Sequence, residues 1–166
     1  MNSHDLDLIE NLTYDELQLG QQQTLIRRLQ ADDILAFAAV SGDTNPAHLD
    51  PDYASHTPFH GVIAHGMWAA SLISALLGTR FPGAGTIYLH QDLHFLRPVH
   101  VGDTLTVTAT VVAKEEGKRS VELDCRVINQ HGEAVLTGMA RVLAPAEKLR
   151  HRRIAPHRIQ LLPGAS

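Results

Sequence analysis

The spacing of hydrophobic residues changes once along this chain, near residue 85. Before that point it is largely helical. Ile34, Leu35, Phe37, Ala38 and Val40 give the stretch from Ala31 to Val40 an apolar face. Asp32 and Asp33 fall in its first turn, where the helix dipole favours negative charge, and Ser41-Gly42 supplies a left-handed stop. A second helix is predicted from His65 to Thr79. Met67, Trp68, Ala70, Ser71, Leu72, Ile73, Ala75, Leu76 and Leu77 leave it almost no charged face, and a helix apolar all round is a buried one. Gly78 and the Pro82-Gly83 pair end it. Thr24 to Leu29 alternates and reads as a first strand. A polar loop over 43–48, a short helix from Pro51 to Ser55 and a loop from Thr57 to Gly61 fill the space between the helices.

After residue 85 the period falls to two. Thr86 to Phe95 reads as one imperfect strand, and Thr104 to Val112 alternates clearly with many β-branched residues. Glu115 to Lys118 is a hairpin turn. Ser120 to Asn129 carries Val121, Leu123, Cys125 and Val127 on one face, Gln130-His131-Gly132 turns the chain, and Ala134 to Leu143 is the last strand. A sheet with one apolar face needs cover, and the helix at 65–79 is the element able to provide it. The predicted fold is therefore α+β, an antiparallel β-sheet wrapped around a long central helix. Strands and helices do not alternate after residue 85, which argues against a parallel α/β fold. The expected organisation is an arm over 1–23, a domain over 24–145 and a basic tail over 146–166.

Composition narrows the function. The chain has 166 residues, enough for one domain with one sizeable core. At 44% hydrophobic and 19% charged it is a globular chain rather than a disordered one. Its net charge of -4 has the opposite sign to that of a dedicated nucleic-acid binder. Lys148, Arg150, Arg152, Arg153 and Arg158 against Glu147 give the tail +4, which leaves -8 for the rest. No apolar run reaches the roughly 20 residues of a membrane span. The polar, acidic start is unlike a secretory signal, and the single cysteine fits a reducing compartment, so the expected location is the cytoplasm. No nucleic-acid or membrane partner is expected.

Two segments could carry chemistry. In Ser41-Gly42-Asp43-Thr44-Asn45-Pro46-Ala47-His48 a carboxylate and an imidazole stand five residues apart, with Asn45-Pro46 turning the chain between them. Converging on one point, the two could hold a water and exchange protons with it. The same residues also read as a helix terminator and a turn, with Asp43 capping amides and His48 exposed. In Ile63-Ala64-His65-Gly66-Met67 a glycine stands at the start of the buried helix. The first amides of a helix have no internal partner, and a glycine lets a carbonyl oxygen that turns anionic approach them. Tight packing would equally call for a glycine there.

Together, S-G-D-T-N-P-A-H-L-D-P and I-A-H-G-M resemble the signature of the MaoC-like, (R)-specific enoyl-CoA hydratases. Leu93 to Val99 and Val101 to Leu105 resemble a strand and turn of that family. The likeness runs from about Thr24 to Val142. It implies a hot-dog fold, with Asp43 and His48 as the catalytic pair and Gly66 as the oxyanion-hole glycine. Asn45 would orient the loop between them, and His65 would support the loop or the helix start. Ser74 and Leu77, three residues apart on the central helix, would line the acyl pocket or simply pack. The implied reaction is reversible addition of water to a trans-2-enoyl-CoA, giving the (R)-3-hydroxyacyl-CoA. No cofactor or metal is implied, CoA being part of the substrate, and none of the 11 histidines stands in a His-Glu-x-x-His or Cys/His cluster.

The resemblance also implies a homodimer or an assembly of dimers, in agreement with the need of an edge strand for cover. A dehydratase acting on acyl-carrier protein and a non-catalytic acyl-CoA binding module are the alternatives. An acyl-CoA thioesterase would need a carboxylate on the central helix, and residues 65–79 hold none.

Overall fold

A computed structural model of the protein describes residues 8–154. Residues 1–7 of the arm and 155–166 of the basic tail, Arg158 included, lie outside the described residues. The strands are β1 (Leu8–Glu10), β2 (Gln22–Arg28), β3 (Ile87–Gln91), β4 (His94–Phe95), β5 (Thr104–Glu115), β6 (Ser120–Ile128), β7 (Ala134–Leu143) and β8 (Arg150–Arg152). The helices are α1 (Ala31–Ser41), α2 (Pro46–Leu49), α3 (Pro51–Ser55) and α4 (Gly66–Thr79). The single turn α2 was not expected in the loop over 43–48. Pro46 at its first position and the Asn45 side chain, which accepts from the Ala47 amide, start it.

The main sheet runs β2-β5-β6-β7-β3, every pair antiparallel, with β4 also on β7. Along β5 the buried residues are Leu105, Val107, Ala109 and Val111, and along β6 Val121, Leu123, Cys125 and Val127. Every second residue of each strand thus enters one core. From the other side Trp68, Ala69, Leu72, Ile73, Leu76 and Leu77 of α4 enter the same core. Ile73, Leu76 and Leu77 are wholly buried, each contributing roughly 1.5–3 kcal/mol. The chain is thus a layer of antiparallel sheet on one apolar helix, but α4 is not buried all round as its sequence predicts: the sheet covers one face only, and Met67, Ser71, Ser74 and Gly78 form an exposed stripe on the other. Burial pushes the Cys125 thiol up to about 12, so at neutral pH it behaves as a small hydrophobe.

One strand differs from expectation. The stretch from Thr86 to Phe95 is not continuous but breaks into β3 and β4 at Asp92. The Asp92 amide donates to the Met139 carbonyl at 3.0 Å, and its carboxylate accepts from the Met139 amide at 2.9 Å. A side chain thus replaces a backbone carbonyl in the ladder. The crossing is tight, since a Cβ on Gly138 would lie 2.0 Å from the Asp92 carbonyl oxygen.

The arm and the tail meet. β1 pairs antiparallel with β8. The buried Asn11 side chain donates to the carbonyls of Ala84 and Glu147 and accepts from the Leu149 amide. Lys114 donates to the carbonyls of Tyr14 and Leu17. Lys148 pairs with Glu16, and Arg150 with Glu10. Part of the basic tail is therefore neutralised by the acidic arm of the same chain.

Gly138→Ala is expected to destabilise the fold by about 3 kcal/mol, since backbone has to move to admit the methyl group. A urea titration reads this as a lower midpoint at unchanged slope. An unchanged midpoint would show that the Asp92 crossing is not tight.

Candidate active site

The site starts where α1 ends. Gly42 adopts the left-handed conformation at φ 76°, and its amide donates to the Ala38 carbonyl. Ser41 Oγ donates to the Phe37 carbonyl and accepts from the Asp43 amide. An Asp43 carboxylate oxygen accepts from the Asn45 amide at 3.2 Å, and Asn45 Oδ1 accepts from the Ala47 amide at 3.0 Å. Two successive side-chain-to-backbone turns thus fold the loop back on itself.

His48 follows on α2, half-buried. Its Nδ1 lies 2.8 Å from the Ile63 carbonyl oxygen. A carbonyl only accepts, so Nδ1 carries the proton and Nε2 keeps a free lone pair. His65 follows the same logic with the nitrogens exchanged. Its Nε2 lies 2.9 Å from the Asp43 carbonyl oxygen and donates to it. The His65 ring is 2% exposed and stacks between Phe37, at 5.0 Å, and His48, at 3.9 Å. A carboxylate oxygen of Asp43 and ring nitrogens of His48 and His65 all lie within 4.8 Å of one another. The convergence that sequence spacing left open is real, and Asp43 itself is exposed.

Asp, His and His together are donors that a transition metal accepts. The two imidazole rings lie 3.9 Å apart with their planes tilted by 32°.

Gly66 is the first residue of α4, and no side chain caps that end. Its amide is one of the helix's orphan donors, at the positive end of the dipole. It lines a cavity of about 340 Å³ together with His48 and His65. The wall is mostly apolar, with Phe59, Ala69, Phe95 and Val135 among its residues and Arg97 also on it. The Phe95 ring lies against Gly66, within 3.0 Å of where a Cβ would stand.

Asp43, His48, His65 and Gly66 are thus brought to one place. Ser74 and Leu77 are not brought to this cavity. Leu77 is wholly buried in the core and Ser74 is exposed. Eight residues of helix separate Gly66 from Ser74, about 12 Å along the axis. Phe59, Phe95 and Val135 were not singled out from sequence. Phe59 is loop and the other two are strand residues, and only the wrapping of the sheet brings them to the end of α4.

Residues 15–132 match a family described as the MaoC like domain. The chain is 44% identical to the (R)-specific enoyl-CoA hydratase of Rhodospirillum rubrum, over 80% of this chain and 92% of that one. It is 45% identical to the (R)-specific enoyl-CoA hydratase of Aeromonas caviae, over 81% of this chain and 100% of that one. Among solved structures, an unliganded R-hydratase from Pseudomonas aeruginosa superposes with a TM-score of 0.88 at 44% identity. That match covers 93% of this chain and 99% of that one.

Gly66→Ala is expected to cost little stability. The atom it meets belongs to Phe95, a ring 52% exposed and able to swing outward. Tm should fall by about 4 °C or less, which is roughly 1 kcal/mol for a chain of this size. A larger fall would mean that glycine is needed here for packing.

Proposed function

Because the chain belongs to the family of MaoC-like domains, we propose that it adds water reversibly to trans-2-enoyl-CoA to give (R)-3-hydroxyacyl-CoA. One observation carries the reading. The Asp43 carboxylate and the His48 ring meet within 4.8 Å, and His48 lines an apolar cavity together with the uncapped helix end at Gly66. A hydratase needs these two devices together, a pair that handles the protons of water and a donor for an oxygen that gains negative charge.

The thioester oxygen accepts from the Gly66 amide, which draws electrons from C3. Water held by Asp43 and His48 attacks C3 as the pair takes one of its protons, and His48 Nε2 is the nitrogen free to do so. The π electrons move towards the thioester, and the oxygen at Gly66 carries the developing charge. A proton then passes from the pair to C2, which restores the pair. The gain comes mainly from holding water, pair and carbonyl in one geometry. Water is delivered from one face only, so one enantiomer forms. The (R) sense follows the names of the relatives.

The same proposal includes a homodimer. β3 lies at the edge of the sheet with Ile87 57% exposed and Leu89 49% exposed. An apolar edge strand invites pairing with a second copy. A cytoplasmic location is supported by the single buried free thiol, Cys125. No described helix is long and apolar enough to cross a membrane.

Purified protein mixed with crotonyl-CoA should deplete the absorbance of the conjugated thioester, with an (R) product by chiral analysis. Asp43→Asn and His48→Gln should each lower kcat by about 10²–10⁴-fold while the chain stays folded. Gly66→Ala should lower it by about 10²-fold. Near-normal turnover by either variant of the pair would remove that residue from the mechanism. Sedimentation should give twice the chain mass of 18.2 kDa, and a monomer at micromolar concentration would refute the dimer.

A further inference from the structure

His65 is buried at a position where a histidine brings a cost. Its Nδ1 is one of three buried side-chain polar atoms that have no hydrogen-bond partner among the described residues. A buried acceptor left unpaired is unfavourable, and an apolar ring of similar shape would avoid the loss. Packing therefore does not account for a histidine here.

What the imidazole adds is on its other edge and on its face. Nε2–H is the donor that holds the Asp43 carbonyl at 2.9 Å. The ring face lies 3.9 Å from the ring of His48. His65 also precedes Gly66 directly and packs on Phe37 of α1. One side chain thus touches the end of α1, the loop that carries Asp43, the ring of His48 and the start of α4.

Resting on the hydratase reading above, we propose that His65 is a positioning residue that acts as a neutral Nε2–H donor. Its bond to the Asp43 carbonyl fixes the loop, and its ring face fixes the plane of His48. Together they keep the Asp43 carboxylate and His48 Nε2 on one water. A cation at His65 would oppose proton transfer from that water to His48, so the neutral form is the working one.

The test separates donor from ring. His65→Phe keeps an aromatic face and loses the donor. His65→Gln places an amide N–H near the position of Nε2 and loses the ring. With crotonyl-CoA, the Phe variant should lose kcat on the order of 10²-fold, the loss expected of a displaced reacting group, with KM nearly unchanged. The Gln variant should recover about tenfold of that. Phe turning over as fast as Gln would overturn the donor role, and equal losses in kcat and KM would indicate general disruption. If the Phe variant does not fold, His65→Asn, whose amide reaches only as far as Nδ1, takes its place and should be as slow.

Nitrogen-15 spectra of labelled histidines give a readout that needs no turnover. They should show His65 as the Nε2–H tautomer and His48 as the Nδ1–H tautomer, and the signals of His48 should shift in the Phe variant. A wild-type protein that hydrates no enoyl-CoA would end the hydratase reading, while these spectra would still decide the positioning. The opposite tautomer at His65, or His48 signals unmoved by the substitution, would overturn it.

Discussion

Fourteen residues without a charged side chain make up α4, and the rest of the molecule is arranged around keeping its face from Trp68 to Leu77 away from water, while Met67, Ser71, Ser74 and Gly78 stay exposed along the opposite side. Covering the buried face takes a curved sheet whose alternate residues point inward. Burying that face leaves the N-terminal end of the helix near the surface. The N-terminal end then presents amides that the helix itself cannot satisfy, beside an apolar wall supplied by the sheet and its loops. Hydrophobic burial and the proposed oxyanion site thus have the same origin. The force that holds the fold together also aims the donor at Gly66.

The proposed acid–base pair depends on backbone carbonyls. His48 and His65 each donate one ring N–H to a carbonyl, of Ile63 and of Asp43 respectively. Each bond selects a tautomer and leaves a lone pair on the opposite nitrogen. The two bonds also join the loop after α1 to the segment entering α4. The geometry of the pair is therefore set by main-chain positions. Asp43 is exposed, yet its loop is pinned through its carbonyl by His65 and through its carboxylate by the Asn45 amide.

The outer strands are where chain and expectation part. At Asp92 a carboxylate enters the ladder in place of a carbonyl, and the strand breaks into β3 and β4. β4 carries Phe95 onto Gly66. The break gives Phe95 its own alignment on β7, opposite Leu136, separate from that of Ile87 opposite Leu143. Ends of the chain that read as an arm and a tail are tied together by β1, β8 and Asn11.

Much of this protein is legible in one dimension. The change of period near residue 85, the uncharged helix and the alternation of Leu105 to Val111 and of Val121 to Val127 determine sheet on helix, because local periodicity decides which side of each element is apolar. Asp43, Asn45, His48 and Gly66 could be singled out because turn and helix-start chemistry is local. The contacts of His65 could not, since its partners Phe37, Asp43 and His48 lie on other elements. The cavity wall of Phe59, Phe95 and Val135, the break at Asp92 and the remoteness of Ser74 and Leu77 from that cavity were likewise decided only in three dimensions. These depend on how far the sheet curls over the end of the helix, and curl is a property of strands packed together that no stretch of sequence carries alone.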